Sequence, residues 1–165
     1  MYHAGTIDVS WKTIKYADKQ LLPGDTLYIR EGTYLESIGN FLTRSGTAQN
    51  RITYRNYPED TVIIGSYASS VIARGISLTN VSYVTVHGFQ LQNVRRAVQF
   101  AQANYCEIAH CKSTEPPISG QGWSFLKIYR DSSYNWLHHN EFAKNGKTDV
   151  GAILDIGDEY NDSER

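Results

Sequence analysis

Ile76-Ser77-Leu78, Val98-Gln99-Phe100, Leu126-Lys127-Ile128 and Leu154-Asp155-Ile156 are one pattern written four times, at steps of 22, 28 and 28 residues. Each triplet sets a polar residue between two apolar ones, the period of a strand. A second strand repeats behind the first. Val81-Ser82-Tyr83-Val84-Thr85-Val86 matches Ala103-Asn104-Tyr105-Cys106-Glu107-Ile108, and both match Ser132-Ser133-Tyr134-Asn135-Trp136-Leu137, at steps of 22 and 29. The tyrosines fall in register. A step of about 22 residues suits one coil of a parallel β-helix: three short strands and three turns, stacked about 4.8 Å above the previous coil. The expected fold class is therefore all-β, a right-handed parallel β-helix or solenoid.

Equivalent side chains then stack in columns. Ile76, Val98, Leu126 and Leu154 form one inward column, and Leu78, Phe100, Ile128 and Ile156 the next. Leu27 and Ile29, from the alternating Leu27-Tyr28-Ile29-Arg30, are placed in the same two columns one coil earlier. The outward column is Tyr28, Ser77, Gln99, Lys127 and Asp155, flanked by Arg30, Thr79, Ala101 and Tyr129. The extra residues of the longer steps belong in loops. Thr114 to Gly122, with Pro116-Pro117 and two glycines, is one; Thr33 to Asn50 is an insertion in the first coil, after a turn at Glu31-Gly32-Thr33. Ser10 is read as the N-cap of a helix whose inner face is Trp11, Ile14, Ala17 and Leu21, with Lys12, Lys15, Asp18 and Lys19 outside. Pro23-Gly24-Asp25 ends it. The chain is thus expected to be one domain over 1–165: a cap over 1–24, then coils over 25–165, about three in full and a fourth begun, with an open C-terminal end. Further coils, or another chain, are expected against that end, as in the N-terminal part of a longer solenoid. Antiparallel alternatives need hairpins, and no Asn-Gly or Asp-Gly joins two alternating runs.

Bulk properties exclude several functions. Hydrophobic residues make up 41% of 165, which is neither disorder nor a membrane span, and no apolar run approaches the roughly 18 residues of a membrane helix. The net charge of −1 gives no general attraction to nucleic acid. It is unevenly spread: from Asp149 onward there are six acids and one base, leaving the preceding 148 residues at +4. Cys106 and Cys111 lack further soft ligands at zinc spacing and are read as small buried apolar residues. His87, His110, His138 and His139 share neighbouring columns and could hold a metal as stacked imidazoles. Their place after the second strand favours turn residues instead. Asn140 aligns with Phe89 and Cys111, so its amide is expected to satisfy backbone groups. The tyrosine column is read as stacking.

Several stretches resemble the pectate-lyase-like β-helix superfamily. Pro23-Gly24-Asp25-Thr26-Leu27-Tyr28-Ile29-Arg30-Glu31-Gly32-Thr33-Tyr34 resembles its first coil, and Arg51 to Pro58 followed by Val62-Ile63-Ile64-Gly65 its next. Val84-Thr85-Val86-His87-Gly88-Phe89 and Leu137-His138-His139-Asn140-Glu141-Phe142 are similar to its recurrent coil signature. The start is most similar to polysaccharide lyase family six, the alginate lyase and chondroitinase B group. The resemblance implies a helical cap on the first coil, a substrate groove along an outer strand face, and a protein secreted or at the cell surface. It implies polysaccharide as partner.

With the groove on the outward column, Lys127 above Asp155 and Arg130 above Asp158 put two cations and two carboxylates on one patch, beside Tyr129, Gln99 and Trp123. A uronic-acid lyase needs a base for the proton α to the carboxylate and a cation to neutralise that carboxylate. Lys127 or Arg130 fits the first need; Asp155, Asp158 and Glu159 could hold calcium, which takes several oxygen ligands. A glycosidase would instead use a carboxylate pair such as Asp155 and Asp158. Ladder salt bridges between coils are the structural alternative. The functional expectation is a carbohydrate-active β-helix, lyase or hydrolase, on an extracellular acidic polysaccharide. The alternative is a non-catalytic surface, adhesion or scaffold module, or an inactive fragment of a larger enzyme.

Overall fold

The computed structural model describes residues 6, 8–69, 71–115, 124–143 and 152–157, with the side chains of 114, 115, 152, 153 and 155 outside that description. The described strands form three sheets, and every pairing is parallel. Sheet A joins β1 (Thr26–Ile29), β3 (Ile52–Asn56), β6 (Val84–His87), β9 (Glu107–Ala109) and β12 (Trp136–His138) in that order. Sheet B joins β2 (Gly32–Tyr34), β4 (Val62–Ile64), β7 (Gln90–Gln92), β10 (Lys112–Glu115) and β13 (Glu141–Phe142). Sheet C joins β5 (Ile72–Thr79), β8 (Val94–Ala101), β11 (Ser124–Tyr129) and β14 (Ala152–Ile156). The chain visits A, B and C in turn, so successive coils lie one upon another as in a β-helix.

The columns follow. Ile76, Val98, Leu126 and Leu154 are register partners, as are Leu78, Phe100, Ile128 and Ile156. The buried members Ile76, Leu78, Val98 and Phe100 are fully enclosed. Ile38 bridges to Ile76 and heads its column.

Several sequence expectations are corrected. Leu27 and Ile29 belong to sheet A, where β1 pairs with β3, so Tyr28 stands above Arg55 and not above Ser77. The coil count rises with them, to five layers in sheets A and B. Glu31-Gly32-Thr33 is not a plain turn: Gly32–Tyr34 is strand β2, paired with Val62–Ile64. The loop expected from Thr114 begins inside β10, which runs to Glu115. The cap is corrected as well. Helix α1 spans Ile14–Asp18, and its N-cap is Thr13, whose hydroxyl accepts from the Tyr16 amide at 3.1 Å. Ser10 and Trp11 precede it. Ile14, Ala17 and Leu21 are buried as expected. Finally, Asp18, read as solvent-facing, is fully buried. Its carboxylate accepts from the Tyr54 hydroxyl at 2.8 Å and the Phe41 amide at 2.9 Å. Both partners come from later coils, so helical periodicity could not reveal them.

The corners of the coil use residues in the left-handed region, repeated layer after layer. Tyr83, Tyr105 and Tyr134 have φ of 56, 55 and 56°, and Gly88, His110 and His139 have 87, 54 and 54°. That conformation costs a non-glycine residue about 1–2 kcal/mol. The tyrosines recover part of it by stacking, with centroids 4.9 and 4.8 Å apart and planes within 4°. His110 and His139 stack likewise, at 5.0 Å and 8°. Two asparagines secure the corners. Asn135 accepts from the Cys106 amide and donates to the Ala103 carbonyl; Asn140 does the same for Cys111 and Ile108. Both free cysteines are buried, and burial pushes the Cys111 thiol up to about 11.

Candidate functional site on the outer face of sheet C

The strands of sheet C break their own alternation. Ala97 and Phe125 belong to the core, and a side chain at Gly75 would meet the core residue Leu91. The next residues, Ile76, Val98 and Leu126, also face the core. Two successive inward residues leave Arg74, Arg96 and Ser124 on the outside, with Ser77, Gln99 and Lys127 after the break. The two outward groups meet. Arg74 Nε donates to Gln99 Oε1 at 3.0 Å, and an Arg96 terminal nitrogen donates to the same oxygen at 3.2 Å.

Arg74 and Arg96 are direct register partners on neighbouring strands, both half-buried. Neither is ion-paired among the described residues; their shared acceptor is a neutral amide. Next in the same register is Ser124. The Arg96 Nε and the Ser124 hydroxyl are both buried without a hydrogen-bond partner among the described residues. A buried polar group left unpaired costs about 1–3 kcal/mol, more when charged. Two like charges one strand apart repel each other as well. An anion on this strip would relieve both penalties.

Gln99 was expected as an exposed sugar contact. It points outward but is only 2% exposed, beneath the arginines it holds. Lys127 lies in register between Gln99 and Asp155, as the column reading required. Its ammonium is 5.2 Å from the centre of the Tyr129 ring, and the Arg130 guanidinium is 5.3 Å from it. Lys127, Tyr129 and Arg130 are thus brought together, although Tyr129 is mostly buried, at 6% exposure. Arg130 occupies the left-handed corner after β11, at φ 53°. Of the remaining expected site residues, Trp123, Asp158 and Glu159 lie outside the described residues, and the Asp155 side chain does too. The calcium reading rests on those three acids. Among the described residues, no group of three or more His, Cys, Asp or Glu is arranged to hold a metal.

Sequence reading passed over Arg74 and Arg96. The signal was present: they repeat at the same 22-residue step as Ile76 and Val98. They were missed because strict alternation puts position 74 with the inward residues 76 and 78, and only the break at Gly75 turns it outward.

The histidines sit at the corner after sheet A. His87 and His110 are 4.6 Å apart, and His138 Nε2 lies 3.1 Å from a Glu107 carboxylate oxygen. Burial, then the nearby Arg55 charge, holds the His87 imidazole below its usual pKa.

A sequence-family profile described as the Pel9A-like, right handed beta helix region matches residues 1–149. Pectate lyase PEL9 of Emericella nidulans is 41% identical over 61 residues, 37% of this chain and 15% of that protein. The uncharacterized protein YwoF of Bacillus subtilis is 35% identical over 81 residues, 49% of this chain and again 15% of its relative. The matched stretches therefore span a small part of these curated relatives. Among solved structures, an alginate lyase from Paenibacillus sp. str. FPU-7 superimposes with a TM-score of 0.64 over 88% of this chain and 54% of the other, at 18% identity, a likeness of fold. No described helix is long and apolar enough to cross a membrane. With the three parallel sheets and their stacked columns, these matches place the chain in the Pel9A-like right-handed β-helix family, whose fold is that of polysaccharide lyases.

Proposed function

We propose that the outer face of sheet C binds the carboxylates of an extracellular polyuronate and that the chain contributes to its cleavage by β-elimination. The observation that carries this reading is the Arg74–Arg96 pair. Two half-buried guanidiniums in register, one with an unpaired buried Nε beside the unpaired Ser124 hydroxyl, form a donor set for a planar anion. A uronate carboxylate supplies that anion. Neutral sugars do not.

The chemistry follows from the neighbours. The arginines would draw charge from the carboxylate as the adjacent carbon loses its proton. Lys127, on the next strand of the same face, is the proposed base; Arg130 is proposed as a further cation. The carbanion's electron pair forms a carbon–carbon double bond, the glycosidic bond breaks, and the leaving oxygen takes up a proton. Tyr129 packs against the Lys127 and Arg130 side chains and is proposed to position them, and Trp123 is proposed to contact the sugar. Asp155, Asp158 and Glu159 are proposed as oxygen ligands for calcium, which would add positive charge for the same carboxylate. The protein is proposed to act secreted or at the cell surface, where such polymers occur. Further coils, or another chain, are proposed to pack on Leu154 and Ile156, which are 49% and 67% exposed.

The test is ultraviolet absorbance of the unsaturated product with polygalacturonate and with alginate. The chain is expected to generate the signal on one of them, and Lys127→Ala to lower the rate on the order of 100-fold or more. Undiminished activity in Lys127→Ala would remove Lys127 as base. Binding without any elimination would reduce the protein to a polyuronate-binding module.

A further inference from the structure

The outer face of sheet A carries a different group of residues, on another side of the solenoid and independent of the sheet C reading. Its outward positions include Thr85, Glu107 and Trp136, register partners on β6, β9 and β12. The tyrosine column runs along their edge. A hollow of about 220 Å³ lies here, lined by Arg51, Tyr83, Tyr105, Glu107, Tyr134 and Trp136 among others. At about 30 Å³ per water it holds roughly seven waters, the bulk of one sugar ring.

The walls are of two kinds. Tyr105 is stacked on both faces, by Tyr83 and Tyr134, and Tyr134 on the face toward Tyr105; the two are 42% and 75% exposed. Trp136 has one face on the His138 ring, at 3.8 Å between centroids, yet remains 60% exposed. It is a large flat apolar surface held rigid from behind. The polar wall is an Arg51–Glu107 pair at 4.0 Å. Arg51 is fixed by donating to the Thr85 hydroxyl at 2.8 Å and the Val84 carbonyl at 3.1 Å. Glu107 is fixed by His138. A rigid aromatic plane beside one fixed donor and one fixed acceptor matches a pyranose, whose C–H face is apolar and whose rim carries hydroxyls. The opposite charges of Arg51 and Glu107 offset each other, unlike the unbalanced arginines of sheet C. That balance selects against a carboxylate.

We propose that this hollow is a second saccharide subsite, binding one neutral pyranose unit against Trp136 with its hydroxyls shared between Arg51 and Glu107. It would hold the protein on a polysaccharide through a neutral branch or stretch while sheet C engages the uronates.

The test follows the Trp136 indole N–H resonance during titration with galactotetraose, xylotetraose and tetragalacturonate. A saturable shift is expected with at least one neutral oligosaccharide. It should persist in the Arg74→Gln/Arg96→Gln double variant, which separates this site from sheet C. Glu107→Gln, an isosteric change at a half-buried position, should weaken the neutral ligand about tenfold, the loss of a charge-assisted hydrogen bond. Trp136→Ala should abolish its heat of binding while the melting curve stays cooperative. The proposal is overturned if Trp136 is unmoved by both neutral ligands, if tetragalacturonate binds it more tightly than they do, or if Glu107→Gln leaves the titration unchanged.

Discussion

Asp18 is the residue whose chemistry departs furthest from its sequence reading. Burial pushes its carboxyl up to about 6, against the lowering effect of the Phe41 and Tyr54 hydrogen bonds. The same burial, with the Asp18 charge beside it, pushes the Tyr54 hydroxyl upward. The linkage has a definite sign. The folded-state pKa lies above the ordinary carboxyl value of 3.8, so the native state holds the proton more tightly. The stabilisation is complete below about 4 and is lost as pH rises through about 6. The span corresponds to roughly 2–3 kcal/mol. Asp18→Asn, which keeps the acceptor for Tyr54, should flatten the dependence of the melting temperature on pH between 4 and 6; an unchanged slope would move the titration to another group. Other single residues were legible. Asn140 needed only its column for its amide to be assigned to backbone groups, and both hydrogen bonds are there, although the residue is half-buried. Column arithmetic handles residues inside the repeat. Asp18 lies outside it, and its partners come from 23 and 36 residues away.

At the scale of elements, the corners hold the coil. Asn140→Ala would leave the Cys111 amide and the Ile108 carbonyl unpaired, and should lower unfolding free energy by about 1–3 kcal/mol in denaturant titration. The same change at the exposed Glu141 should move it by less than about 0.5 kcal/mol. Gly65 is a stricter case: φ is +87°, and a side-chain carbon there would lie 2.0 Å from the Gln92 carbonyl oxygen. Gly65→Ala should therefore cost more than Asn140→Ala, and comparable melting temperatures would contradict the packing of β4 against the following coil. Sheets A and C were legible because their strands repeat an apolar-polar-apolar pattern at constant steps. Sheet B was not recognised as a third column. Its members Gln90-Leu91-Gln92 and Glu141-Phe142 are two or three residues long and turn one apolar side chain each toward the core, too little to show a period.

At the scale of the whole molecule, the chain is a stack in which each layer is buried by its neighbours. Stability is then a sum over adjacent coils, and a substitution is felt according to its layer. Phe100→Ala, in the middle, should cost about 3–5 kcal/mol. Leu154→Ala, in the last described layer and half-exposed, should cost a small fraction of that. Equal losses would contradict the layer order. The stack also explains how much of the candidate site could be read ahead. Lys127 and its alignment with Gln99 and Asp155 came from the repeat. The Arg74–Arg96 pair did not, since it depends on the break in alternation at Gly75, which appears only when the strands are bent around the core.

The central claim is that this bent sheet reads carboxylates through Arg74 and Arg96. Calorimetric titration with tetragalacturonate, repeated over a range of salt, addresses it most directly. The native chain should bind with an affinity that falls as salt rises, and Arg74→Gln/Arg96→Gln, folded to the same melting temperature or higher, should lose at least about a hundredfold, the worth of two charge-assisted hydrogen bonds. Binding by the double variant that matches the native chain, with the same salt dependence, would contradict it.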